Sequence, residues 1–377
     1  MNQPVPLSLP LPLPLPVPLP QPNRLQSFVD HGVLAGAVTL IASPTAVLEC
    51  TAVGFSDVSQ RVPMRTDDLF WIASESKPMT SSGLMMLVDA GRVQLDDPIA
   101  KYLPDFSELQ VAVYATDGVT LLRPAKQPIL IRHVLSHTSG LPFMSRVERG
   151  RIDTMPLREA VLSYALSPLL SEPGSAYSYS NAGINIAGRI IELVSGQPYA
   201  TYMDEHLFQP LGMVNTTLWP TAEQLARLAK AYRPREDQTG LEEIPLGQFT
   251  YPLDRLDRGP SPAGGYFSTA ADVARFGQMV LNRGTLDGRR YLSEASVAEM
   301  TRKQTGDLPQ AHGLGWDLEQ PANGFGHGGA LRTNLWIDPK LQRVLVYLVQ
   351  HAGYLGVEGD QIQPTFRRGA AAAFPSE

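Results

Sequence analysis

The sequence predicts an α+β fold: an antiparallel sheet flanked by helices, plus a helical region set into it. Two observations carry this. Strand-like runs with turn signals between them lie near both ends of the chain, and helix-like runs fill its middle. The simplest arrangement pairs the two terminal hairpins in one sheet. The expected division is a proline-rich tail over residues 1–22 and one domain over 23–377. The sheet would come from about 23–100 and 255–377, and the helical insertion from about 101–254.

The elements follow in order. Prolines at 4, 6, 10, 12, 14, 16, 18, 20 and 22, mostly alternating with Leu or Val, exclude a helix and point to an extended polyproline II tail. Residues 23–33 form a short amphipathic helix with Leu25, Phe28 and Val29 on one side. Ala37–Ala42 and Ala46–Cys50 flank the turn Ser43-Pro44-Thr45 and make the first hairpin. Cys50 in that stretch reads as a packing residue. A helix over about 75–90 stops at Gly91, and Asp96-Asp97-Pro98 opens a shorter one. Helices are expected at 131–137, 157–168, 181–195 and 221–232, with a long proline-rich loop at 233–263. Thr269 caps a helix that runs to about Asn282. Asn334–Ile337 and Val344–Val349 flank Asp338-Pro339-Lys340 as the second hairpin, and a last helix is expected over about 360–373.

Composition narrows the function. With 43% hydrophobic and 18% charged residues, most of the 377-residue chain can bury a core. The net charge of -6 and the lack of a basic run argue against a nucleic-acid partner. The single cysteine excludes an internal disulfide. No proline-free apolar run reaches the roughly 18 residues of a transmembrane helix, and no secretory signal is recognisable, so a cytoplasmic location is expected.

Three segments carry chemistry. Ser74-Glu75-Ser76-Lys77 spells S-x-x-K at a helix mouth, where residues i and i+3 share a face. Ser74 Oγ is a weak nucleophile that an adjacent base can activate, and Lys77 suits that task if burial or neighbours make it neutral. In Pro173-Gly174-Ser175-Ala176-Tyr177-Ser178-Tyr179-Ser180-Asn181, Tyr179 can carry a proton between Ser74 and Lys77 if the cation lowers its pKa. Asn181 offers an amide to a substrate carbonyl, or else caps the helix it opens. In His327-Gly328-Gly329-Ala330, the two glycines would let a substrate lie close to a strand. The Ala330 N–H could join that of Ser74 as an oxyanion hole, with His327 at the rim. His133 and His137 stand at the i, i+4 spacing of a helical zinc pair, but no third ligand is evident and no metal is expected. No G-x-S-x-G is present, which argues against an α/β-hydrolase elbow.

In order and context, these three segments resemble the serine β-lactamase and penicillin-binding-protein superfamily, in its class C-like branch. That branch includes the family VIII carboxylesterases, D-aminopeptidases and related acyltransferases. The linking text Ile131–Pro142 and Gly264–Asp272 is also similar, and the resemblance spans roughly 24–351. It implies a β-lactamase/transpeptidase-like fold with the site between sheet and helical domain. It implies Ser74 as nucleophile, Lys77 and Tyr179 sharing acid and base duties, and Asn181 orienting the substrate, with no cofactor. His327 stands where many β-lactamases carry the Lys of a Lys-Thr-Gly triplet. A largely neutral histidine anchors a substrate carboxylate weakly, which favours neutral esters or amides. The expected function is a serine hydrolase cleaving carboxylic esters. Its competitors are a β-lactamase, a D-aminopeptidase, an acyltransferase and a non-catalytic ligand-binding homologue. Retention of Ser74, Lys77 and Tyr179 together speaks against the last.

Overall fold

The two ends of the chain meet in one six-stranded antiparallel sheet. The computed structural model describes residues 23–114, 120–318 and 324–374, so the proline-rich tail lies outside the described residues. The strands are β1 (Gly36–Ala42), β2 (Val47–Asp57), β3 (Val62–Pro63), β4 (Phe325–Gly328), β5 (Asn334–Asp338) and β6 (Arg343–Leu348). Their order is β4-β5-β6-β1-β2-β3, and the two hairpins join where β1 pairs with β6, Val38 opposite Leu348 and Leu40 opposite Val346.

Alternation along these strands explains the layers. All seven residues of β1 are buried, so both faces of the sheet are covered. Val38, Leu40 and Ala42 join Val344, Val346 and Leu348 in the larger core. Their neighbours Ala37 and Ile41 join Leu345 and Tyr347 in a second core, closed by Leu25, Phe28, Ile362, Phe366 and Ala370. The helices are α1 (Ser76–Asp89), α2 (Ile131–Leu135), α3 (Asn181–Ser195), α4 (Ala270–Leu281) and α5 (Ile362–Ala373). Helix α4 packs on the first face, and α5 with the short helix Gln26–Asp30 on the second. As expected, Thr269 caps α4 by accepting from the Asp272 N–H. No described helix is long and apolar enough to cross a membrane.

Several local expectations are corrected. The middle of the chain contains strands: Gln110–Tyr114 pairs with Thr120–Pro124, and Ala231–Pro234 with Leu241–Ile244. The helix expected over 221–232 is only Ala222–Leu225, because the chain turns into the second of these hairpins. That hairpin also occupies part of the loop expected at 233–263. The helix expected over 131–137 ends at Leu135, and His137 takes a left-handed φ of 58°. His133 and His137 therefore share no helix face, which removes the geometry of an i, i+4 metal pair. Cys50 lies on β2 but is exposed, so its side chain does not pack in the core.

Helix α3 packs against both α1 and α2. Helix α3 crosses α2 so closely that a Cβ on Gly183 would stand 2.7 Å from Val134 O. Gly183→Val is expected to destabilise the protein by about 2 kcal/mol, because overpacking against backbone outweighs the gain in helix propensity. Urea denaturation of the variant checks this.

Candidate active site

The turn that carries Ser74 is strained and braced. Ser74 lies in a single 3₁₀ turn, Ala73–Glu75, immediately before α1. Ala73 takes a φ of 46°, a left-handed conformation that costs a non-glycine residue roughly 1 kcal/mol. Neighbouring bonds hold it there. Phe70 and Trp71 pair with Ser268 and Phe267, and the Ile72 N–H donates to Tyr266 O at 3.0 Å. Ser76 Oγ donates to Ala73 O at 2.6 Å. Ser76 is thus a brace for the turn, while Ser74 is partly open to solvent.

Lys77 meets Ser74 as the i, i+3 spacing predicts. Its Nζ lies 2.9 Å from Ser74 Oγ and donates to Ala263 O at 2.7 Å. The Ala263 N–H in turn donates to Asn185 Oδ1 at 3.1 Å, which fixes that carbonyl. Lys77 is fully buried and makes no salt bridge within 4.0 Å to a described carboxylate. Burial therefore pulls its pKa down to about 7, against a partial upward pull from Asp317.

The segment Tyr177–Asn181 is held by the His137–Pro142 stretch. The Ser178 N–H donates to His137 O, the Ser180 N–H to His137 Nδ1, and Ser180 Oγ to Pro142 O. This places the Tyr179 ring with its centre 4.8 Å from Lys77 Nζ and its hydroxyl on Ser74. Against the sequence expectation, the Tyr179 pKa is raised. Burial is the largest effect, and the bond to Ser74 only partly offsets it. Tyr179 is a neutral hydroxyl at pH 7. Ser180, not Asn181, caps α3, accepting from the Gly183 N–H at 3.2 Å. The Asn181 side chain is thereby freed from capping, and its buried Oδ1 has no partner among the described residues.

The third segment is the edge strand β4 and the turn after it. His327 is buried, and its Nδ1 lies 2.8 Å from Gly328 O. A carbonyl only accepts, so Nδ1 carries the ring proton and Nε2 is a bare acceptor without a partner among the described residues. Burial lowers the His327 pKa to about 4, so the ring is neutral. The two glycines differ. A Cβ on Gly328 would meet nothing closer than 3.4 Å, which leaves that strand face open. A Cβ on Gly329 would stand 2.2 Å from Thr333 Oγ1 and 2.6 Å from Ile72 O. Gly329 is required by the protein's own packing. The N–H groups of Ser74 and Ala330 donate to no described backbone carbonyl.

Asp317 and His312 belong to the same cluster and were not singled out in the sequence. Asp317 exchanges backbone hydrogen bonds with Gly326, one residue before His327. Its carboxylate lies 3.1 Å from His312 Nδ1, and half of its side chain is exposed, as on the wall of a cleft. Burial acts to raise its pKa, but His327, His312 and Lys77 outweigh it and hold the carboxyl at about 2. The His137 ring packs 4.8 Å from His312 and 4.5 Å from Tyr179, centre to centre. No motif carries this cluster, since it is assembled only by the Asp317–Gly326 pairing.

Lys77 leaves a signature in stability. Between about pH 7 and 10.5 the unfolded chain holds a proton on Lys77 that the folded chain lacks, so stability rises with pH. Relative to Lys77→Met, which carries no such proton, the wild type is expected to gain up to about 1.4 kcal/mol per pH unit in this window. Urea denaturation of both proteins at pH 7 and pH 9 measures it.

Comparison with known proteins agrees with this geometry. The Beta-lactamase family model matches residues 23–363. Protein Rv1367c of Mycobacterium tuberculosis is 32% identical, over 89% of this chain and 90% of its own length. Esterase EstB of Burkholderia gladioli is 28% identical, over 86% of this chain and 88% of its own. Among solved structures, EstCE1, described as a hydrolase with promiscuous acyltransferase activity, superposes with a TM-score of 0.74 at 26% identity, covering 92% of this chain and 96% of its own. With a family match over most of its length and the fold to go with it, the chain belongs to the Beta-lactamase family, within the serine β-lactamase and penicillin-binding-protein superfamily.

Proposed function

We propose that this protein is a serine hydrolase that cleaves small carboxylic esters through an acyl-enzyme on Ser74. The observation that carries the proposal is the buried Lys77 amine, 2.9 Å from Ser74 Oγ and brought close to neutrality without an ion pair. A neutral amine can take the Ser74 proton as Oγ attacks the ester carbonyl. The oxyanion would be received by the N–H groups of Ser74 and Ala330. Tyr179, neutral and bonded to Ser74, would give its proton to the leaving alkoxide and be resupplied by Lys77. The ester C–O bond breaks, the alcohol departs, and the acyl group remains on Oγ. Water then repeats the sequence in reverse, and the acid is released. Asn181 would orient the acyl group.

The charge of the cleft supports an ester over a β-lactam. His327 is neutral where a lysine would hold a carboxylate, and Asp317 contributes a permanent negative charge beside it. The names of the relatives, an esterase and a hydrolase that also transfers acyl groups, are consistent with this choice.

The test is hydrolysis of p-nitrophenyl butyrate by the wild type and Ser74→Ala, with a chromogenic cephalosporin in parallel. Ester turnover is expected, with a loss of roughly 10³-fold or more in the variant and little lactam cleavage. Full activity in Ser74→Ala overturns the nucleophile, and fast lactam turnover overturns the ester preference. Because the base must be unprotonated, kcat/KM is expected to rise through about pH 7. A profile flat from pH 5 to 8 would contradict Lys77 as that base.

A further inference from the structure

Asp317 carries a negative charge into the cleft, and no step of the mechanism above uses it. Its backbone is fixed from three sides. Two residues earlier, Gly315 lies against α1, where an added Cβ would meet Ser81 Oγ at 2.2 Å and Lys77 O at 3.2 Å. At Asp317 itself, the N–H donates to Gly326 O at 2.8 Å, and the Gly326 N–H donates back at 3.0 Å. The flanking Trp316 and Leu318 are buried in the larger core, so alternation along an extended chain turns Asp317 away from that core.

The carboxylate is anchored, yet no fixed cation neutralises it. His312, 1% exposed, donates from Nδ1 to Oδ1 at 3.1 Å from the buried side, and half of the Asp317 side chain stays open. No described Lys or Arg forms an ion pair with it. Aromatic rings border the same wall. The half-buried Tyr177 has its ring centre 5.6 Å from that of His312, and the exposed Phe143 stacks on Tyr179 at 6.2 Å. The path from Ser74 is short. Strand β4 meets the Ser74 turn at Gly329, against Ile72 O. Alternate residues of an edge strand turn their N–H and C=O outward, so the outward pair next to that of Gly326 belongs to Gly328, about 7 Å along. A substrate lying on that edge runs from Ser74 toward the carboxylate.

We infer that Asp317 is a specificity-determining residue: its open carboxylate, beside the Tyr177 ring, receives an ammonium group of the substrate while the ester carbonyl lies at Ser74. The inference rests on the Ser74 reading above and names the substrate class of that site as cationic esters. A carboxylate and an aromatic face both attract an ammonium group, and an anionic substrate would meet a like charge. The carboxyl, held at about 2, is ionised at any pH where Lys77 is neutral. An acid that served only to anchor His312 would leave the enzyme indifferent to substrate charge.

The test compares kcat/KM for two isosteric pairs at pH 7.5 and low ionic strength, alongside Ser74→Ala. On the acyl side, p-nitrophenyl 4-(trimethylammonio)butanoate is set against p-nitrophenyl 5,5-dimethylhexanoate. On the alcohol side, butyrylthiocholine is set against S-(3,3-dimethylbutyl) thiobutyrate. A quaternary nitrogen replaces a quaternary carbon in each pair, so the members differ in charge and not in shape. The wild type is expected to favour the cation by about tenfold or more in at least one pair. Asp317→Asn keeps the shape and an acceptor for His312, and is expected to bring that ratio to within about twofold of one, chiefly through KM. Any change it makes at Lys77 falls on both members of a pair and cancels in the ratio. Turnover lost in Ser74→Ala, with no cation preference in either pair or an unchanged preference in Asp317→Asn, would overturn this inference alone. Retained turnover in Ser74→Ala, or no turnover by the wild type, would overturn the reading beneath it.

Discussion

Placing an ammonium group in a dry site is the constraint on which the rest of this structure depends. Isolated buried charge is among the most costly features a fold can carry, and proteins escape the cost by pairing the charge or neutralising it. This chain does the second. Lys77 is offered a carbonyl, Ala263 O, and a hydroxyl, Ser74 Oγ, but no carboxylate in contact. A bonded carboxylate would have fixed the proton on the amine and removed it as a base. Asp317, whose field reaches Lys77, is engaged with His312 and raises the Lys77 pKa only in part. The position of one acid thus sets how close to neutrality the amine comes.

The same dryness sets the states of the other groups. Tyr179 sits over the amine, yet its pKa goes up, because removal of solvent outweighs the bond to Ser74. His327 and His137 are held neutral for the same reason. The site therefore holds neutral hydrogen-bonding groups and one carboxylate. A developing oxyanion in such a place would be received by fixed dipoles, which places a demand on the alignment of backbone N–H groups.

What could be seen in the sequence follows from how local each feature is. Ser74 and Lys77 were legible because three residues of helix bring them together whatever the rest of the chain does. The sheet was legible because its two hairpins each carry their own turn signal. The fate of residues 221–232 was not, because Ala231–Pro234 becomes a strand only by pairing with Leu241–Ile244. Cys50 sat in an apolar run, but which side of β2 faces water is decided by strand register, and a run alone does not give register. Asp317 was invisible for a related reason. It reaches the site through a two-bond bridge to Gly326, and nothing in Gly-Trp-Asp-Leu announces that pairing. The raised pKa of Tyr179 needed burial, which a motif does not report.

Gly329 shows how far a motif's residues can serve the protein before they serve a substrate. Its φ is ordinary, and no conformational freedom is being used. The space its side chain would fill is already taken by Ile72 O and Thr333 Oγ1. The glycine lets the turn carrying Ala330 rest on the turn carrying Ser74, the two turns that hold the proposed oxyanion donors. The first turn is under strain at Ala73, and strained backbone persists only where its surroundings over-determine it. The ladder to Phe267 and the Ser76 hydroxyl brace that turn on one side. The Thr333 hydroxyl closes it on the other by donating to Ile72 O, where β4 ends.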